Sequence, residues 1–352
     1  MEKLNLFNRF VNEAKLRLLT LVGMNAKQRW VRRRNKMIRT SDVEKVKMAE
    51  ILLDNAHTSL EYSKKSGNAH ILETVLMPII LKYINSSKLD NLIGVQPIAG
   101  PVGSVFHITY SDNDDVDSPI PMKGKKPMTL QVMTSAVEAK SKKFNLKWCP
   151  ENVQDKRLMF NKKEQKEFEE GLMHAFSNEL EVELDSSVIE SIRNESFAED
   201  GITLNMESHT ALGVYIQRAA TNIARRTRRG IANWAIMSSA TYAVLKNHPN
   251  MLEYPEEHND NLLSLMGDFN STIKIFVNTW QVNDDNILLG YKGDNDIDVG
   301  MVHAPYNILL PSGIVANIDT FEPELGFLNR SGEFKADNVS DYYANIPVKL
   351  AA

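Results

Sequence analysis

The sequence predicts an α+β protein, and three features carry that prediction. Two alternating segments, SVFHITY at 104–110 and MTLQVM at 128–133, flank a long charged connection. The stretch 164–193 carries Phe168, Leu172, Phe176, Leu180, Leu184, Val188 and Ile192 four apart, a helical spacing. Beyond it, an amphipathic helix is followed by short apolar runs of strand character, so helices and strands are grouped and do not alternate as βαβ units.

The elements follow in order. Leu4, Phe7, Val11, Ala14, Leu18 and Leu21 form one stripe on a helix, which docks on its own protein or serves as a partner helix. The run KQRWVRRRNK at 27–36 reads as a solvated helix face or as a phosphate-contacting patch built on Arg32, Arg33 and Arg34. Residues 43–62 are helical, with Val46, Ala49, Leu53 and Ala56 on one side. Helical spacing resumes at Leu72, Val75, Leu76, Ile79 and Ile80, interrupted by Pro78, and IGVQPIAGPVG at 93–103 is turn-rich. The two alternating segments then make a hairpin. Its loop is acidic first (Asp112, Asp114, Asp115, Asp117) and basic second (Lys123, Lys125, Lys126). A stripe spaced by four drifts around its helix, so the 164–193 helix, about 45 Å long at 1.5 Å per residue, must pack on more than one neighbour.

The next helix, 208–229, buries Leu212, Tyr215, Ile216, Ala219 and Ile223. It crowds Arg225, Arg226, Arg228 and Arg229 into its end before Gly230. Cations offset the negative end of the helix dipole and glycine is a common terminator, so the cluster has a structural explanation without nucleic acid. Four arginines exceed what a helix end requires, and the surplus is expected to meet acidic groups on a neighbour. IANWAIMS reads as a buried strand, and Ser238 or Ser239 can cap a short helix through Leu245. STIKIFVN at 271–278, NILLGYKG at 286–293 and the turn-rich C-terminal region read as strands.

Bulk properties exclude several classes. With 352 residues, 43% hydrophobic and 24% charged, the chain can build a sizeable core; a net charge of -4 argues against a mainly polyanionic partner. The single cysteine, Cys149, excludes an intramolecular disulfide and a cysteine-based metal site. No run approaches the ~18 apolar residues of a membrane span. DNDIDVG at 294–300 begins like a calcium loop, but its glycine, Gly300, comes one place late and the twelfth position is Pro305. The loop from Asp112 has Lys123 at that place. No nucleotide-binding, nucleophile-elbow or zinc-protease motif occurs, so no catalytic residue, cofactor or metal is expected.

Five separated stretches nevertheless form a pattern: NLIGVQPIAGPVGSVF, VEAKSKKFNLKW, NIARRTRRGIANWAIMSS, LLGYKGDNDIDVGMVHAPY and DTFEPELGFLNRSGEF. In order and spacing they resemble the major capsid (head) proteins of contractile-tailed bacteriophages of the T-even group. The third is similar to that family's I-A-x-x-T-R-R-G-x-x-N-[FW] segment, the fourth to its V-G-Y-K-G run. The resemblance implies the Hong Kong 97-type phage capsid fold. It divides the chain into an N-terminal arm (1–103), an E-loop hairpin (104–134), a peripheral domain with a spine helix (135–205), an axial domain (206–305) and a C-terminal β segment returning to the peripheral domain (306–352). It implies a structural, non-enzymatic subunit, found in the virion and assembled in the host cytoplasm. Its partners would be itself in hexameric capsomers, vertex, portal, scaffolding and decoration proteins, and packaged double-stranded DNA without sequence preference. A vertex paralogue, a cellular shell of the same fold and a nucleic-acid-binding structural protein are the alternatives. The hairpin loop would supply intersubunit contacts, the 225–229 arginines a structural or intersubunit cluster, and Arg32–Arg34 an inner-surface basic patch. The family's protease motif, [LI]-x-E, occurs at Ile71-Leu72-Glu73 within an apolar helical stretch, so the N-terminal segment is expected to be retained. The chain departs from the T-even proteins in being shorter, without room for their inserted surface domain.

Overall fold

A computed structural model describes residues 26–38, 42–65, 73–111, 129–147, 162–205, 208–254, 263–279, 286–316 and 323–350. The stripe at 4–21 lies outside them. Helix α1 (Ala26–Met37) leads to α2 (Val43–Lys65) and α3 (Glu73–Ser86), then to the short strand β1 (Gly94–Val95). Strands β2 (Val102–Ser111) and β3 (Thr129–Glu138) form the hairpin, in antiparallel register from Val102 opposite Glu138 to Ser111 opposite Thr129. Then come β4 (Lys140–Lys147), the long α4 (Lys162–Glu195), β5 (Phe197–Ala198), β6 (Ile202–Leu204) and α5 (His209–Thr227). The chain continues through β7 (Trp234–Ser238), α6 (Ser239–Leu245), β8 (Met251–Glu253), β9 (Leu263–Phe269), β10 (Ile273–Asn278) and β11 (Ile287–Gly290). It ends with β12 (Met301–Ala316), β13 (Pro323–Lys335), α7 (Val339–Tyr342), β14 (Tyr343–Ile346) and β15 (Val348–Leu350).

Two sheets organise the molecule. One has the order β5-β14-β11-β7-β10-β9-β8, the other β1-β12-β13-β4. Strand β7 is buried on both faces, which is why NWAIMS is apolar without alternation. Ala235 and Met237 meet Leu212, Ile216 and Ile223 of α5, whereas Trp234 and Ile236 meet Val188, Ile189 and Ile192 of α4. One helical turn earlier, Leu180 and Leu184 pack instead with α2, α3 and the four-stranded sheet through Leu52, Ile80, Ile308 and Phe327. The drifting stripe of α4, 34 residues and about 51 Å by rise, therefore serves two neighbours in succession.

Four expectations need correction. Helix α3 runs through Pro78; burial of Met77, Ile79, Ile80 and Ile84 outweighs the one helical hydrogen bond lost at a solvent-exposed proline. Helix α5 ends one turn short of the glycine: Arg228 adopts the left-handed conformation (φ 55°) and its amide caps Ala224 O. Gly230 has another use, since a Cβ there would lie 2.5 Å from the Tyr291 ring. The expected boundary at 305/306 falls inside β12. The final segment also does not return wholly to the four-stranded sheet, because β14 sits between β11 and β5 of the seven-stranded one and β15 pairs with β6.

Candidate functional site

Segments distant in sequence converge at the root of the hairpin. Gln96 acts as a substitute strand: its side-chain amide donates to Phe106 O (2.7 Å) and accepts from Phe106 N (2.8 Å), and it also donates to Asp296 O (2.9 Å). Ile108 N donates to Ile297 O (2.9 Å), and Ala139 N to Pro101 O (2.8 Å). Arg229, with a side chain only 4% exposed, pairs with Asp298 and donates to Ile108 O (3.5 Å). Asn233 repeats the amide device on Lys292, accepting from its N (3.0 Å) and donating to its O (2.5 Å). Lys292 in turn holds Asp296 (2.8 Å) and donates to Asp90 O. Two carboxylates of the calcium-like loop, Asp296 and Asp298, are thus engaged by a lysine and an arginine of the same chain.

Beneath these ties lies a small apolar cluster that includes Ile98, Val105, Val137, Val299 and Val302. His107 enters beside it, buried, with its ring tilted against that of Phe334 and the ring centres 4.2 Å apart. Burial lowers its pKa below the ordinary histidine value, opposed in part by Asp337. The other face of the hairpin is different. Val102, Phe106 and Val132 are 63%, 50% and 61% exposed, and Val132 stands opposite Ile108 on the same face as Phe106. The alternation at Phe106 and Ile108 marks the outward face, and the inward one is Val105 and His107.

The anticipated site residues divide. Asp112, Asp114, Asp115, Asp117, Lys123, Lys125 and Lys126 lie outside the described residues. Arg225 and Arg228 are exposed. Arg226 turns inward to Glu199 (3.5 Å) and over the Phe197 ring (4.3 Å to its centre), and Arg229 to the hairpin root. Arg34 does not belong to a surface patch. With Trp30 one turn before it, Arg34 faces α2, pairing with Asp54 (2.6 Å) and Glu50 (2.9 Å), while Trp30 donates to Asp54 (2.7 Å) and stacks on His57. Only Arg32 and Arg33 of that trio remain exposed. Gln96, Asn233, Lys292 and Asp298 were not singled out from sequence, yet all four sit in the motif stretches quoted above. Among the described residues no group of three or more His, Cys, Asp or Glu side chains could hold a metal ion, and no helix is long and apolar enough to cross a membrane.

Residues 121–348 match the family model described as Major capsid protein Gp23. The chain belongs to that family. Similar proteins include the major capsid protein of Enterobacteria phage T6, 23% identical over 309 residues, covering 77% of this chain and 59% of that one. The major capsid protein of Vibrio phage KVP40 is 25% identical over 236 residues, covering 58% and 45%. The chain thus spans about three-fifths of the length of the T6 relative. Among solved structures, a virus-like particle from Pyrococcus furiosus aligns with TM-score 0.47 at 10% identity, covering 79% of this chain and all of that one. Microbacterium phage Oxtober96 aligns with TM-score 0.44 at 12% identity, covering 75% and 91%. The Gp23 match takes in the arginine cluster, Asn233 and the 292–298 loop, whereas Gln96 and β2 precede it.

Proposed function

We propose that this chain is a structural subunit of a phage head, and that it self-assembles by laying its long hairpin on a neighbouring copy. The observation that carries this reading is the contrast within β2–β3: the root is fixed by side chains from other segments, while Val102, Phe106 and Val132 on one face are half or more exposed. A two-stranded ribbon is at best marginally stable in water, and an apolar face on one is a surface awaiting a partner. Family membership supports a shell role, and the order hairpin, long helix, α/β block and closing strands is the order the Hong Kong 97-type architecture requires. The acidic and basic residues between 112 and 126 would pair with complementary charges on the adjacent copy, serving registry more than strength, since exposed pairs contribute only ~0–1 kcal/mol each.

The subunit works without catalysis or cofactor, as part of a virion shell around double-stranded DNA. Arg32 and Arg33, which are exposed on α1 as Lys36 is, would make non-specific phosphate contacts. Vertex, portal and scaffolding proteins would be its further partners. Electron microscopy of the concentrated protein tests the assembly. Wild type should form hexameric capsomers or closed shells, and the Phe106→Asp/Val132→Asp double variant should stay a folded, unassembled subunit. Normal shells from that variant would place the main contact elsewhere.

A further inference from the structure

The contact between α3 and the long helix α4 contains a group with no place in an ordinary apolar interface. Asp185 is 1% exposed, and Glu181, one turn before it on the same face, is 3% exposed. The two oxygens of Asp185 are met by hydroxyls: Tyr83 Oη donates to one (2.9 Å) and Ser87 Oγ to the other (2.9 Å). Ser86 bonds Glu181 alongside. A cavity of about 40 Å³, lined in part by Tyr83, Ser87, Leu184 and His303, borders the cluster, and the apolar packing of Ile80 and Leu184 surrounds it.

A buried carboxylate is costly unless a cation pairs with it. Among the described residues none of the hydrogen-bond partners of Asp185 is a cation, and the charges that act on it, Glu181 on its own helix and Asp90 after α3, are both acidic. Asp90 is itself paired with Lys45 of α2 (3.2 Å). From the sheet side, Lys142, His303 and Glu333 line the cavity. Lys142 bonds Ser187 and Lys82 of α3 bonds Asn178 (2.7 Å), so the nearby lysines are directed to other residues. A neutral carboxyl fits this setting. Either hydroxyl can turn to accept its proton while the other continues to donate.

We propose that the α3–α4 contact is a proton-operated catch, closed while the Asp185 carboxyl is neutral and loosened when it ionises beside Glu181. Burial first, and Glu181 second, push the Asp185 pKa up to about 7, so the catch responds within the range a cell or a particle meets. The sign follows from the raised value. The folded contact holds a proton that the opened one releases, so its advantage is complete below the ordinary carboxyl pKa of 3.8, declines as pH rises, and levels off above about 7. The inference concerns how the helical segment before the hairpin is seated, and it stands whether or not the shell reading does.

Hydrogen exchange on the full-length chain, followed in peptides covering 77–86 and 178–192 and normalised for intrinsic exchange, tests it. His303 across the cavity titrates with the opposite sign, its pKa lowered to about 4 by burial, so the readout is the ratio of local opening in wild type to that in Asp185→Asn. That ratio should grow about tenfold between pH 5.5 and 6.5, the linkage of one proton, and be flat between pH 8 and 9. Glu181→Gln, which removes the second acid, should move the levelling-off to lower pH. A ratio that does not change with pH overturns the proposal. If Asp185→Asn does not fold, a Glu181→Gln profile superimposable on wild type overturns it as well.

Discussion

The hairpin root and the α3–α4 contact solve the same problem, joining a projecting piece of chain to the body, by opposite means. At the root the polar groups are backbone-shaped: the amides of Gln96 and Asn233 stand in for missing strand neighbours, and the buried cation Arg229 has Asp298 as its counter-charge. The holding there is by named hydrogen bonds and one charge pair, so the geometry is specified group by group. At the α3–α4 contact most of the holding is apolar, through Ile80, Ile84, Leu180 and Leu184, and the polar cluster within it is balanced only while an acid stays neutral. The first arrangement aims an element through directed polar contacts. The second holds an element but lets conditions weaken the hold.

The contrast breaks most severely at Arg229. Arg229→Ala leaves Asp298 partly buried without its cation and removes a donor from Ile108 O, which should cost about 3 kcal/mol in urea unfolding. Arg225→Ala, only four residues away but exposed, should cost less than about 0.5 kcal/mol. Equal losses for the two would mean that the cluster acts as diffuse charge and not through its inward members. A smaller effect is expected at Gln96. Gln96→Ala exposes or orphans the Phe106 backbone groups, for about 1–2 kcal/mol, and should raise hydrogen exchange at the hairpin root while leaving α3 and α4 unchanged. Loosening at both places would show the two regions to be one cooperative unit.

What the sequence disclosed and what it hid follow the same division. Periodicity exposed α4 because Leu180, Leu184, Val188 and Ile192 repeat, and the drift of that stripe correctly implied two neighbours. Alternation found both hairpin strands but not which face looks inward, since Phe106 and Val105 are both apolar and only the tertiary setting separates them. Arg34 was hidden by its basic company. Only its spacing from Trp30 marks it as inward-facing, and the acidic partners, Glu50 and Asp54, lie on the next helix. The left-handed Arg228 had no local signal, because glycine two places on was the better terminator by propensity. The chain turns early, and Arg226 and Arg229 then reach Glu199 and Asp298 respectively. Gln96 and Asn233 were least legible of all. A single amide meeting a distant backbone leaves no period and no charge pattern, and the sole clue was their position inside stretches that resemble a family.

The smallest expected effect gives the sharpest comparison, because the two regions should answer acid in opposite directions. His107 is buried at the hairpin root against Phe334, and burial depresses its pKa despite the opposing influence of Asp337. A histidine lowered in the folded state binds its proton more readily once the root opens. The stability it contributes is therefore full above the ordinary value of 6.5 and is lost as pH falls through that value toward the lowered one. The loss can reach about 1.4 kcal/mol for each unit by which the pKa is depressed. Acidifying from pH 7.5 to 5.5 should thus increase exchange in peptides covering 102–108, normalised for intrinsic rate, while the α3–α4 peptides of the same sample gain protection relative to Asp185→Asn. His107→Phe keeps a ring against Phe334 and removes the titrating group, so it should flatten the response at the root alone. His303 also destabilises on acidification, but it sits at the α3–α4 cavity and remains in the variant. If the root still loosens in His107→Phe as it does in wild type, His303 or a carboxylate governs the acid response there, and the two regions are not independently tuned.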